Sequence, residues 1–314
     1  MDYLSPRAFD PARIALALRV GLGSVFLIGG WFKLSRLLDP AASDGLVAKY
    51  VSPTGYINTF FQEVLFAGPI GDILTPWGFL TALSTFELLA GLALIAGFMV
   101  RPLALIFGFL LWTFIAALPV TVSPGATAAD PTYLSPALLV QVRDIGLSGL
   151  MFVLLGLGAG ACSVDHWLFG DNDPAGREDW QGLGLLTRLS LAGPLLIGGL
   201  FAGMDHIQSW GLWPPLLILT AAVLILGIGV RVAGAIAAGA MVWFIAGKID
   251  PGASLVVNLN GFKRELAFLA AGGVLGLYGG GSRYTLADLR DRMSLAAAML
   301  RAKRGLRRQV RESN

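Results

Sequence analysis

Eight long apolar runs constrain this chain more than any other feature. They lie at 14–32, 79–99, 102–122, 145–161, 183–203, 213–230, 232–246 and 266–280. A membrane-spanning helix needs about 20 mostly apolar residues. Inside a bilayer every backbone N–H and C=O must be satisfied by the protein, so such runs become helices or strands of a closed barrel. These runs are continuous and lack period-two alternation, which selects helices. The sequence predicts an all-α integral membrane protein with about eight transmembrane helices. Charged residues make up only 14% of the 314, against roughly 25% in soluble domains.

The two halves of the chain resemble each other. Arg19–Trp31 reads RVGLGSVFLIGGW, and Arg188–Leu200 reads RLSLAGPLLIGGL. Gly97 to Arg101 meets Gly227 to Arg231 at an offset of 130, and Phe114-Ile115-Ala116 meets Phe244-Ile245-Ala246 at the same offset. Arg143-Asp144 corresponds to Arg264-Glu265. Charged anchors in the same order point to duplication rather than chance. Four spans per half give copies of one orientation, related by an axis along the membrane normal. The expected organisation is two parallel-repeat four-helix bundles. Residues 1–165 form the first repeat and 166–182 an acidic linker. Residues 183–284 form a second, degenerate repeat, and 285–314 a basic amphipathic tail.

Polar segments set the expected topology. From Arg283 onward there are nine basic residues against three acidic, net +6 by side chains. An excess of Lys and Arg beside a span marks the cytoplasmic side. Both termini are expected there, in the cytoplasmic membrane of a prokaryote. Nucleic acid is a poor partner for so hydrophobic a chain. The connection over 33–78 carries Tyr50, Tyr56, Phe60, Phe61 and Trp77, and its aromatics predict that it lies on the membrane interface. Gly199-x-x-x-Gly203 and Gly272-x-x-x-Gly276-x-x-x-Gly280 put glycines on one helix face. They read as ordinary helix packing within the chain. The single cysteine, Cys162, leaves no CxxC pair, thiolate cluster or disulfide within the chain.

Ionisable groups within the spans are the candidate site. A charge in the bilayer is costly and marks function by default. Arg19 and Arg188 recur in both halves, so they read as structural and are expected to pair with Asp165 and Asp288. Glu87 stands near the middle of the second span, and its counterpart at the same offset is Leu217. Lys33 ends the first span, and its counterpart is Ala202. Arg143 and Asp144 begin the fourth span on that side. Lys33, Glu87, Arg143 and Asp144 are therefore expected to form one cluster in the first half. Glu87 and Asp144 would handle protons, while Lys33 and Arg143 would bind a quinone oxygen or an oxyanion. A structural ion pair is the competing interpretation. Trp112 is expected to stack on a quinone ring, with interior packing as its alternative. His166 and His206 fall on opposite sides, which argues against bis-histidine haem. No zinc spacing, phosphate loop or Ser-His-Asp set occurs, and no metal is expected.

Arg19, then FLIGGWFKL, then Glu87-x-x-x-Gly91 with a following Gly-x-x-x-Arg turn, then Arg143-Asp144, then Gly158-x-Gly160 leading to Ser163-x-Asp165, resembles the DoxX-like pattern. The doubled length resembles the DoxD type, the membrane subunits of thiosulfate:quinone oxidoreductases. The resemblance covers most of residues 12–290. It implies a membrane subunit of a quinone-linked oxidoreductase, in which thiosulfate gives electrons to quinone and a second subunit sits on the outer face. Two other functions fit the residues. One is a non-catalytic anchor or accessory subunit of a larger respiratory or photosynthetic complex. The weaker one is a small-molecule transporter, against which the missing polar groups of the second half count.

Overall fold

The computed structural model describes residues 10–117, 137–170, 180–201, 210, 212–295 and 299, apart from 53, 54, 58 and 72. Among these residues the regular structure is helical, with no strand. The first half comprises α1 (Pro11–Leu37), α2 (Ser43–Tyr50), α3 (Thr59–Leu65), α4 (Gly68–Gly71), α5 (Pro76–Ala96), α6 (Val100–Ala117) and α7 (Ala137–Leu157). The short α8 (Val164–Phe169) follows. The second half comprises α9 (Trp180–Leu200), α10 (Pro214–Leu226), α11 (Val230–Lys248) and α12 (Leu255–Tyr278). Residues 286–295 are also helical. The expected loop over 119–141 falls largely outside the described residues, as do His206, most of the 166–182 linker and most of the tail.

Eight long helices thus stand where the eight apolar runs predict them, with ends shifted by a few residues. Six helices among the described residues are long and apolar enough to cross a membrane: α1, α5, α6, α7, α9 and α11. With 13 residues, α10 is shorter. The largest change is in α12, which starts eleven residues before the predicted run and takes in Lys263, Arg264 and Glu265. It bends at Phe262, whose φ of −133° leaves the helical region.

The helix ends follow from the residues there. Asp10 caps α1 by accepting from the Arg13 N–H at 3.2 Å, and Pro11 fills a first-turn position that needs no donor. Thr75 and Pro76 do the same for α5. In each half a left-handed glycine ends the second long helix: Gly97 at φ 77° and Gly227 at φ 70°. Only glycine adopts this conformation without strain. The positions are equivalent in the repeat, so one turn is used twice.

Packing ties the halves together. Within the first half α1 lies on α5 and α6 on α7; within the second, α9 lies on α10 and α11 on α12. Across the seam α1 packs on α12 and α7 on α9. Exchanging the two halves converts one of these contacts into the other, as a two-fold relation requires. Small residues permit the approach. A Cβ on Gly21 would meet that of Ala270 at 2.7 Å, and one on Gly146 would meet the Ser190 carbonyl at 2.4 Å. Gly272 and Gly276 pack on α11, and Gly199 on α10. Their role is intrachain packing, as the sequence predicts.

Candidate functional site

The expected Arg19–Asp165 and Arg188–Asp288 ion pairs do not form. Arg19 donates to the Cys162 carbonyl at 2.6 Å. Arg188 donates to the carbonyls of Leu224, Arg283 and Tyr284 at 3.2–3.3 Å. Asp165 instead accepts from the Met99 and Val100 N–H groups at 2.8 and 3.0 Å, capping α6. Asp288 accepts from Tyr284 N–H and pairs with Arg292. The physical reason is the local supply of backbone groups. Helix and loop ends leave carbonyls and N–H groups unpaired, and the buried arginines and the aspartates go to these. Both halves use their arginine this way, which makes it structural.

The other end of the bundle differs. A cavity of about 670 Å³ opens there, between the Lys33 end of α1, the first half of α5, the end of α6 and the starts of α7 and α12. Residues of α2 and α3 cover it. This cover has its own small core of Leu37, Leu46, Ile57 and Leu80. The Gln62 amide donates to the carbonyls of Val51 and Ile57 at 2.7 and 2.8 Å, and the Trp77 indole donates to Leu37 at 3.1 Å.

Lys33 and Glu87 meet as an ion pair, both buried. Close backbones hold them. A Cβ on Gly30 would strike α5 at Leu88 N, 2.5 Å away. Arg143 and Asp144 line the same cavity, as predicted. Their partners come from the other half. Arg143 pairs with Glu265 at 3.0 Å, and Arg264 pairs with Asp144 at 2.9 Å. The Arg-acid pair of one repeat thus exchanges with that of the other. Lys263 reaches the cavity too and donates to Asn260 at 2.8 Å. Arg264 donates to the Tyr56 hydroxyl at 3.3 Å. Burial raises the pKa of Tyr56, and of Tyr50, whose ring lies 5.9 Å from it. Both phenols stay neutral well past the ordinary tyrosine range.

Six cations and two carboxylates line the cavity: Lys33, Arg36, Lys49, Arg143, Lys263 and Arg264 against Glu87 and Asp144. Glu265 lies just behind. Phe26, Phe32, Phe61, Phe79 and Phe114 form apolar walls. Glu87 Oε1 and Asp144 Oδ2 are buried and take no hydrogen bond from a described residue. A buried acceptor without a donor is costly, so each is a place for a ligand donor or a proton.

Trp112 does not join the site. It is 46% exposed and absent from the cavity lining, which takes Leu110, Leu111, Thr113 and Phe114 from α6. At about 100° per residue, Trp112 falls on the opposite side of the helix from Leu110 and Phe114. Trp243 is likewise exposed. The polar residues that sequence reasoning left out of the site include Arg36, Lys49, Tyr50, Tyr56, Asn260, Lys263, Arg264 and Glu265. The repeat of Arg143-Asp144 as Arg264-Glu265 was the signal for two of them.

A family model described as DoxX matches residues 14–121. The chain carries a DoxX-like domain. That match contains Lys33 and Glu87, while Arg143, Asp144 and the whole second repeat lie beyond it. No curated protein and no solved structure matches the chain. The DoxX-like domain thus supplies four of the cavity's walls, the cover included, and α7 and α12 supply the rest.

Proposed function

We propose that the protein is the membrane subunit of a quinone-linked oxidoreductase in a prokaryotic cytoplasmic membrane, with the cavity as its quinone site. The observation that carries this reading is the buried Lys33–Glu87 pair, with a free carboxylate oxygen, in an aromatic-walled cavity of the size that holds small organic ligands. A quinone accepts two electrons and two protons to become a quinol. Lys33 and Arg143 would hold a ring oxygen and favour the charge that gathers on it. Glu87 and Asp144 would each hold a proton for transfer at the oxygen that now lacks a donor. The phenyl rings exclude water and seat the ring. The residues present therefore fit the ligand.

The electrons come from outside the chain, from a second subunit on the outer face. Thiosulfate is the donor that the resemblance implies: two thiosulfates yield one tetrathionate and two electrons, which reduce one quinone. The test is donor-dependent quinone reduction in membranes carrying the Glu87→Gln or Arg143→Ala variant. A loss of about 10²-fold or more is expected from each, the scale of a lost proton donor for Glu87→Gln and of a lost charge-stabilising donor for Arg143→Ala. Unchanged rates in both would end the assignment.

A second reading, a non-catalytic accessory subunit, is favoured by one observation. The helix over 286–295 exposes Leu286, Leu289, Met293 and Leu295 beside its arginines, a surface suited to docking. Deletion of 285–314 without loss of a co-purifying partner would count against it.

A further inference from the structure

The cavity extends sideways as well as toward its cover. Phe79 and Leu83 of α5 and Leu110, Thr113 and Phe114 of α6 line it, and none of them is fully buried. These helices pack mainly on other partners, α5 on α1 and α6 on α7, and touch each other little. The rings of Phe86 and Phe107, 5.6 Å apart, bridge them farther along. Beyond that bridge the cavity lies in the gap between two helices long and apolar enough to cross a membrane. Leu89 of α5 and Phe109 and Trp112 of α6 are exposed and apolar, as lipid-facing residues are.

The geometry points to a lateral opening between α5 and α6, through which an amphiphile with a long apolar tail enters from the bilayer and leaves its tail in the gap. Its polar head lies at Lys33, Glu87 and Arg264, and its tail passes Leu83 and Thr113. The second half supports this by contrast. In the register that pairs Gly97 with Gly227, Leu80, Leu83 and Thr113 meet Trp210, Trp213 and Trp243. Tryptophan stands at each of these three positions, Trp210 buried and Trp213 and Trp243 on the helix surfaces. The identity of the head rests on the quinone reading; the opening does not.

The test gives the first half the second half's residues, with the full chain in lipid nanodiscs carrying Leu83→Trp and Thr113→Trp. The probes are a benzoquinone with a ten-carbon tail and the same ring with one methyl group. The tailed probe should bind the double variant about tenfold more weakly, the effect of unburying roughly two methylenes. Binding of the tailless probe should change much less. Equal weakening of both would overturn the lateral opening. Failure of both probes to bind the unmodified protein would overturn the quinone reading instead.

A second measurement then decides the opening by itself. Leu111 lines the cavity and is 2% exposed. A Leu111→Cys thiol, in a Cys162→Ser background, should react with a bilayer-partitioned maleimide faster than with a charged one. The tryptophan pair should slow the bilayer reagent. A rate that the tryptophans leave unchanged would overturn the proposal. Thr113→Trp alone serves if the double variant does not fold, since residue 113 is already exposed.

Discussion

The two repeats share a scaffold and differ in what fills the end opposite the arginine caps. In the first half that end holds the Lys33–Glu87 pair and a cavity of about 670 Å³. In the second half Leu217 stands in place of Glu87, and Trp210 packs beside Leu217 and Gly198. The Trp210 ring is 2% exposed, meets Phe268 edge-on and donates to Glu265 at 3.2 Å. Among the described residues, an indole packs in the second half where the first half has an ion pair beside a cavity. Packing bulk stabilises, whereas an ion pair taken out of water roughly offsets its own desolvation. The first half therefore gives up stability at the very place where it differs from its copy. Under the proposed function, that cost is the one a binding site carries.

The largest expected effect comes from making the first half more like the second. Glu87→Leu leaves the Lys33 ammonium buried and unpaired, which costs about 3–5 kcal/mol when one partner of a buried pair is removed. Thermal unfolding in mild detergent should show a large fall, and quinone binding should vanish. Adding Lys33→Ala should restore most of the stability and none of the binding. A double variant as unstable as the single one would break the comparison.

Changing the second half should act on stability more than on the site. Trp210→Phe removes the indole donor from Glu265 Oε1, which keeps Arg143, a loss of about 1.5–3 kcal/mol for a hydrogen bond to a charged group. Quinone affinity should fall by less than about tenfold, because Arg143 keeps its carboxylate partner and stays at the cavity wall. An affinity loss larger than the stability loss would make Trp210 part of the site and blur the distinction between the halves.

The smallest effect concerns the cover over the first half's cavity. The Tyr56 hydroxyl accepts from Arg264, a contact worth about 0.5–1.5 kcal/mol. Its pKa is raised by burial from the usual 10.0. The unfolded chain thus ionises first as the pH climbs. The phenol's contribution is complete below pH 10 and is lost above it. Stability measured across the alkaline range should decline less steeply for Tyr56→Phe than for the unmodified chain. Parallel declines would remove Tyr56 from the buried wall of the site.

Much of this difference was legible in the residues. Lys33 and Glu87 lack counterparts in the second half, and they stand together in the structure. Arg143 and Asp144 reach the same cavity. Their partners were not legible, because Glu265 and Arg264 lie more than a hundred residues away and either half could have paired within itself. Arg19 and Arg188 were read as structural, yet their partners are carbonyls. A sequence displays carboxylates and does not display which backbone groups a turn leaves unpaired.

By itself the sequence determined that the chain is all-helical and membrane-spanning and where its long helices stand, because a bilayer leaves a long apolar run no other way to satisfy its backbone. It also showed that Lys33 and Glu87 have no counterpart in the second half. Only the tertiary structure decided that the Arg-acid pairs cross the seam, that Trp112 faces outward, and that Trp210 fills the second half. Those outcomes depend on how helices rotate and approach. A turn of 100° per residue moves a side chain from a cavity to the lipid face, and the glycines at the seam set which charges come within reach of one another.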